Sequence, residues 1–341
     1  MRLKSCPKNS HRWIKRWIKA PARKTPRSGY KWPEVITTPT VLILGAGASC
    51  PYGFPTAKEL KILICKTFKN PTATACQFLG NNTEYSPDEF FEFREAFLRS
   101  NKSSVDAFLE YRPDFLEVGR LAIAYSLIPF EDETKLYRPD ESRGGDWYGY
   151  LCDKLSSSFE EFGNNKLSII TFNYDRSLEH CLLNSLHYSH NKEFDECAQT
   201  LAKIPIIHVY GQLSTCSYSS YPLQCYNQYR PDRDRLINVG AARGITLLHE
   251  EESGEAEAAR KVLEAAKRVC FLGFSYHPLN VARLKIDTFF DLSTTIVGTA
   301  RGWTEMEKQV ARSRLTGAMG GDPHLYNEDN LGILRHTTFL G

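Results

Sequence analysis

The chain has 341 residues, 42% of them hydrophobic and 24% charged, ordinary values for a soluble globular protein. It is long enough for one large α/β domain with insertions or for two smaller domains, and it lacks the run of about 18 apolar residues that a membrane-spanning helix requires. The net charge of +3 is unevenly spread: residues 1–35 hold eleven Lys and Arg against one acid, Glu34, whereas the remainder carries 32 basic and 39 acidic residues. An acidic body argues against a folded domain that binds nucleic acid generally. The ten cysteines include no C-x-x-C pair, which reads as reduced thiols in a cytoplasmic protein, not as a disulfide framework or a zinc ribbon.

The basic arm comes first. In HRWIKRWIKAP, Trp13, Ile14, Trp17 and Ile18 form an i, i+4 stripe among lysines and arginines. Three readings stand: an amphipathic surface-binding segment, a nucleic-acid-binding tail, or an extension with no catalytic role. The arm lacks the apolar core of a secretory signal. Residues 36–341 then read as one domain.

Past the arm, strand-like runs alternate with helical stretches. The expected strands are TVLILG (40–45), LSIITFN (167–173), PIIHVYG (205–211), ITLLHE (245–250), RVCFLGF (268–274) and TTIVGT (294–299). Several are continuous apolar runs, the pattern of parallel strands covered on both faces. After the first, Leu60, Leu63, Ile64 and Phe68 recur at helical spacing. The expected fold class is therefore α/β, a Rossmann-like parallel sheet flanked by helices. About 95 residues, roughly 71–166, separate the first two strands and look helical, far more than a simple crossover needs; they read as a helical insertion. A second insertion, STCSYSSYPLQCYNQYRPDRDR, reads either as a loop over a site or as a plain surface loop.

The turn after the first strand, GAGASCPYGFPTAKEL, carries the chemistry. Gly45 and Gly47 let backbone approach a pyrophosphate, Ala46, Ala48 and Ser49 are small, and a helix N-terminus follows. The third glycine of a dehydrogenase fingerprint would fall at Cys50, and no acid-ending strand follows about twenty residues on. Hydride transfer is therefore disfavoured.

GAGASCPYGFPTAKEL, with Pro55 and Thr56 in its G-F-P-T segment, resembles the first motif of the sirtuin superfamily. TFNYD (171–175) is similar to that family's Asn/Asp strand-end motif, HVYGQL falls where it places a His-Gly pair, and FLGFSYHPLN resembles its later G-x-S motif. The resemblance covers roughly residues 40–300. SVDAFLEYRPDFLEVGRLAIA and DWYGYL resemble the helical insertion of a bacterial branch associated with phage defence. The Asp-Phe-Arg stretch of deacylating sirtuins is replaced by Thr56-Ala57-Lys58, and their paired C-x-x-C zinc module is missing. The resemblance thus implies NAD+ as substrate, cleaved to nicotinamide and ADP-ribose, with no zinc. It makes a protein deacylase the lesser reading.

Carried over residue by residue, it implies that Asn173 orients water and ribose hydroxyls and that Asp175 supports that network or holds the turn. The family's histidine position is Tyr210. His208 lies two residues earlier, on the same face if the strand continues; either His208 is a base or ribose ligand, or it is a core residue and Tyr210 binds the ribose. Gly273 and Ser275 would approach the cofactor backbone, and Asn280 would contact a ribose or cap a helix. Two further expectations follow from the resemblance: a homo-oligomer, and control by a separately encoded ATPase or phage-sensing partner in antiviral defence. Nucleic acid would enter only through the basic arm or a partner. A sensor that binds NAD+ or ADP-ribose without turnover, or an assembly subunit, is the alternative.

Overall fold

The computed structural model describes residues 34–215, 218, 220, 222–234, 236, 240–246, 254–290, 292–316 and 322–341. Residues 1–33 of the basic arm, Cys216, and residues 247–250 of the ITLLHE run lie outside the described residues.

Six parallel strands form one sheet: β1 (Thr40–Leu44), β2 (Leu167–Thr171), β3 (Ile206–His208), β4 (Arg268–Leu272), β5 (Thr295–Thr299) and β6 (Pro323–Tyr326). Their order is β3-β2-β1-β4-β5-β6, the order of a dinucleotide-binding Rossmann fold. The fold is thus the expected α/β class. β1 pairs with β2 from Thr40↔Leu167 and with β4 from Thr40↔Arg268, which puts β1 at the sheet centre.

Alternation of side chains explains why the central strands are apolar throughout. Val41, Ile43, Val269 and Phe271 face one layer of helices, and Leu42, Leu44, Cys270 and Leu272 face the other. The first layer contains the helices Ala57–Thr67, Thr74–Asn82, Pro87–Arg99, Val105–Leu109 and Leu116–Leu127, joined by Gly254–Glu264, Pro278–Leu284 and Glu305–Leu315. Phe90, Phe93 and Phe97 repeat at i, i+3, i+7 and are fully buried there. The second layer is built by Trp147–Lys154, Ser177–His190, Phe194–Leu201 and Asn330–His336. The segment 71–166 contains helices and no strand, in keeping with its reading as a helical insertion.

Local chemistry sets the helix starts. Thr56 and Glu59 form a reciprocal capping box at Ala57–Thr67, and Ser86 with Glu89 does so at Pro87–Arg99. Among the described residues of the second insertion, none lines the cavities at the strand ends. Its Tyr226 and Tyr229 stack on His180 of helix Ser177–His190 at centroid distances of 4.6 and 4.2 Å, in the second layer. Cys50, Cys65, Cys76, Cys152, Cys181, Cys197 and Cys270 are free thiols, but Cys225 is disulfide-bonded, a departure from the all-thiol expectation. Of the ITLLHE run, Ile245 makes an isolated antiparallel bridge to Gly211 and is no part of the sheet.

Candidate functional site

In a sheet ordered 3-2-1-4-5-6 the chain leaves β1 and β4 in opposite directions, opening a crevice at their carboxyl ends. A cavity of about 750 Å³ occupies this position, within the range of small-molecule sites. Residues just past all six strands line it: Gly45, Phe172, Tyr210, Gly273, Ala300 and Glu328 each represent one strand. The helical insertion supplies the facing wall with Ser104, Asp106 and Arg143. A smaller pocket of about 70 Å³ adjoins it, sharing Ala46, Ala57, Ser104, Asp106 and Phe172 and reaching inward to Ser49, Asn173 and Asp175.

The glycines of the first turn answer to a packing demand. Gly47 N–H donates to Gly273 O at 3.0 Å, and Gly45 N–H to Leu272 O at 3.0 Å, so the turns after β1 and β4 interlock backbone to backbone. A Cβ on Gly45 would sit 2.6 Å from Gly273 O, and one on Gly47 2.8 Å from Gly273 Cα. Gly273 itself has φ +55°, a left-handed conformation suited to glycine. With Ala48 N–H bound to Gly45 O at 2.8 Å, three amides of this turn are already spent inside the protein.

Asn173 joins β2 to the same turn. Its Nδ2 donates to Gly45 O and to Ser49 Oγ, both at 3.0 Å, and the carbonyl partner fixes which way the amide points. Both amide hydrogens are committed, so Oδ1 is the atom left to meet a ligand, as an acceptor. That narrows the expected role, which had the amide both donating and accepting.

Asp175 accepts from Ser177 N–H at 3.2 Å and from the Ser177 hydroxyl, anchoring the start of helix Ser177–His190. Burial pushes its carboxyl above the usual carboxylate range, against the opposing pull of those Ser177 bonds. Asp106, on helix Val105–Leu109, receives the Tyr174 hydroxyl on Oδ1 and is likewise raised by burial. The inner pocket therefore presents two carboxyls and one amide oxygen among the apolar walls of Phe54, Leu60 and Leu127.

His208 does not line either cavity. β3 ends at His208, so the alternation that would have put it beside Tyr210 stops there. Its Nδ1 donates to Asn173 O at 2.9 Å and its Nε2 contacts the Glu179 carboxylate. Burial disfavours the charged ring, yet the Glu179 carboxylate and the Asn173 carbonyl lift it above its ordinary value. With both nitrogens turned to acceptors, His208 is a brace behind Asn173, and the expectation that it lines the pocket does not hold.

Tyr210 does line the cleft, and its hydroxyl donates to Asn280 Oδ1 at 2.6 Å. Asn280 thus serves the cleft wall; the helix it belongs to, Pro278–Leu284, has no side-chain cap. Ala46, Gly47, Thr56 and Ser275 also face the main cavity, and Pro55 faces the inner pocket. Ala48 points away, its carbonyl accepting from Trp147 Nε1 at 2.7 Å. The Thr56 hydroxyl is tied to Glu59 in the capping box.

Sequence reasoning missed Asp106, the cationic Lys58, Arg143 and Arg301 at the cleft, and Asn330, whose Nδ2 donates to Gly47 O at 3.1 Å. An acid set among Val105, Ala107, Phe108 and Leu109, all buried, was the available signal for Asp106. Among the described residues no group of three His, Cys, Asp or Glu is placed to hold a metal ion, and no helix is long and apolar enough to cross a membrane. The chain matches no protein-family model and no curated protein.

Proposed function

We propose that this protein is a sirtuin-like NAD+ glycohydrolase. The observation that carries the reading is Asn173, whose Nδ2 is spent on Gly45 O and Ser49 Oγ, which leaves Oδ1 as an acceptor beside a pocket that adjoins the strand-end cleft of a 3-2-1-4-5-6 sheet. Lys58, Arg143 and Arg301 at the cleft suit a diphosphate, and the two carboxyls and apolar walls of the inner pocket suit a cationic aromatic ring such as the nicotinamide of NAD+. Nicotinamide leaves with the electron pair of the glycosidic bond and needs no protonation; water then adds to the oxocarbenium carbon of the ribose. Asn173 Oδ1 would accept a hydrogen from that water or from a ribose hydroxyl and so fix its position.

The test is nicotinamide release from NAD+ by the purified chain, set against Asn173→Ala. Loss of about 10²-fold or more in kcat is expected, the usual cost of one positioned polar group. Full activity in the variant would overturn the reading. A second reading, a sensor that binds NAD+ or ADP-ribose without turnover, is favoured by Tyr210 at the family's histidine position and by the engaged nitrogens of His208; it expects binding and no product. Control by self-assembly or by a separately encoded ATPase or phage-sensing partner, and a place in antiviral defence, rest on the resemblance alone.

A further inference from the structure

Hydrolysis of a glycosidic bond releases a proton from the attacking water, and the groups expected to receive it are engaged elsewhere. His208 has both ring nitrogens committed behind the site. The Tyr210 hydroxyl donates to Asn280, and Asp175 is held by Ser177 and Ser49 and lines the inner pocket only, away from the main cavity. Asp329 at the far end of the cleft accepts from Gly332 N–H at 2.7 Å as a helix cap.

Asp106 is placed differently. It belongs to the wall shared by the main cavity and the inner pocket, the boundary at which a bond between a ribose in one and a ring in the other would lie. Tyr174 donates to Oδ1 and holds the carboxyl plane, while no other side chain among the described residues hydrogen-bonds Oδ2. Among the described residues, the titratable groups that interact with it are Tyr174 and Tyr210 from the strand ends and His277 from the turn after β4; Arg283 and Glu110 act in turn on Tyr210.

We infer that Asp106 is the general base of the hydrolysis, a catalytic residue supplied by the helical insertion and not by the strand-end motifs. This rests on the glycohydrolase reading. In the step, the C1′–N bond breaks and its electron pair neutralises the nicotinamide ring. The water oxygen bonds to C1′, its proton passes to Asp106 Oδ2, and solvent then removes it. Burial in an apolar wall keeps the carboxylate basic enough for the task, and the Tyr174 hydrogen bond keeps it ionised enough to be available.

The full-length chain is assayed for NAD+ binding by calorimetry and for nicotinamide release, as wild type, Asp106→Asn and Tyr174→Phe. Asp106→Asn is expected to lose about 10²-fold or more in kcat, well beyond any weakening of NAD+ binding read by calorimetry. Tyr174→Phe is expected to move the acid limb of the kcat profile to higher pH, which a structural role for Asp106 would not do. If Asp106→Asn fails to fold, the Tyr174→Phe profile decides. An unchanged kcat in Asp106→Asn, or an unmoved acid limb in Tyr174→Phe, overturns the inference while the glycohydrolase reading stands. A wild type that binds NAD+ without releasing nicotinamide, or that does not bind it, overturns that reading and this inference with it.

Discussion

Gly47 and Gly273 meet backbone to backbone across the centre of the sheet, the N–H of one bound to the carbonyl of the other at 3.0 Å. A methyl group on Gly273 would overlap Ala48 N and the Gly47 carbonyl carbon, at a φ of +55° that L-residues seldom adopt. Gly273→Ala is therefore expected to cost about 3 kcal/mol or more, from strain and overlap together. Urea unfolding checks it: the midpoint should fall with the slope unchanged.

Arg176 and Glu131 form a bidentate pair with both side chains fully buried, Nη2–Oε2 at 2.7 Å and Nε–Oε1 at 3.0 Å. Glu131→Gln leaves the guanidinium uncompensated and is expected to cost about 3–5 kcal/mol. The double variant Glu131→Leu/Arg176→Met should recover part of that loss. Calorimetric unfolding of the three proteins distinguishes a charge effect, which the double variant relieves, from simple loss of packing, which it does not.

How far these features could be read in advance depends on how local their causes are. β1, β2, β4 and β5 announce themselves as short apolar runs because both faces of each are covered, and Asn173 sits at a strand end that the sequence marks. β6 escaped notice because Pro323-His324-Leu325-Tyr326 has four residues, opens on a proline and alternates buried with exposed positions, as an edge strand can. Asp106 escaped because its importance comes from Tyr174, 68 residues away, and from a wall that no local pattern encodes. Of the two readings for His208, the structure gives the core residue, because β3 ends at His208 and the alternation that would carry it to the face of Tyr210 stops there.

The His208–Glu179 contact makes a pH signature. The folded-state value of His208 lies above its ordinary one, so its contribution to stability is fully present below about pH 6.5 and is lost as pH rises through the folded value. Stability should thus decline as pH rises above about 6.5. In His208→Gln that decline should flatten, which thermal unfolding across a pH series would reveal; an unchanged slope would mean that the ring is not charged in the folded protein.

Asp106 carries the opposite trade. Its folded-state carboxyl is raised by burial, so the folded protein holds a proton there more tightly than the unfolded chain does, and stability falls as pH climbs from the unfolded value through the folded one. Asp106→Asn removes that penalty and retains an oxygen acceptor for Tyr174. It is expected to be more stable at neutral pH by about 1 kcal/mol, a gain typical where a functional group is replaced. A lower midpoint than wild type at pH 7.5 would contradict this.

Tyr210→Phe keeps the aromatic wall but frees Asn280, whose Oδ1 accepts the hydroxyl at 2.6 Å. Under the proposed glycohydrolase reading, the expected result is a KM for NAD+ raised about fivefold with kcat little changed, the pattern of an interaction made equally in ground and transition states. Steady-state kinetics would separate this from a fall in kcat, which would assign Tyr210 to the chemistry itself.

The bond from Asn330 to Gly47 spans 283 positions of the chain. Because Asn330 begins a helix that follows β6, the first turn gains this support only after all six strands have been synthesised. Contacts of such long range are slow to form and come late in folding. A chain cut before Asn330 would hold the glycine turn without this clamp, so under the proposed glycohydrolase reading its cleft would be assembled only once the helix after β6 is in place.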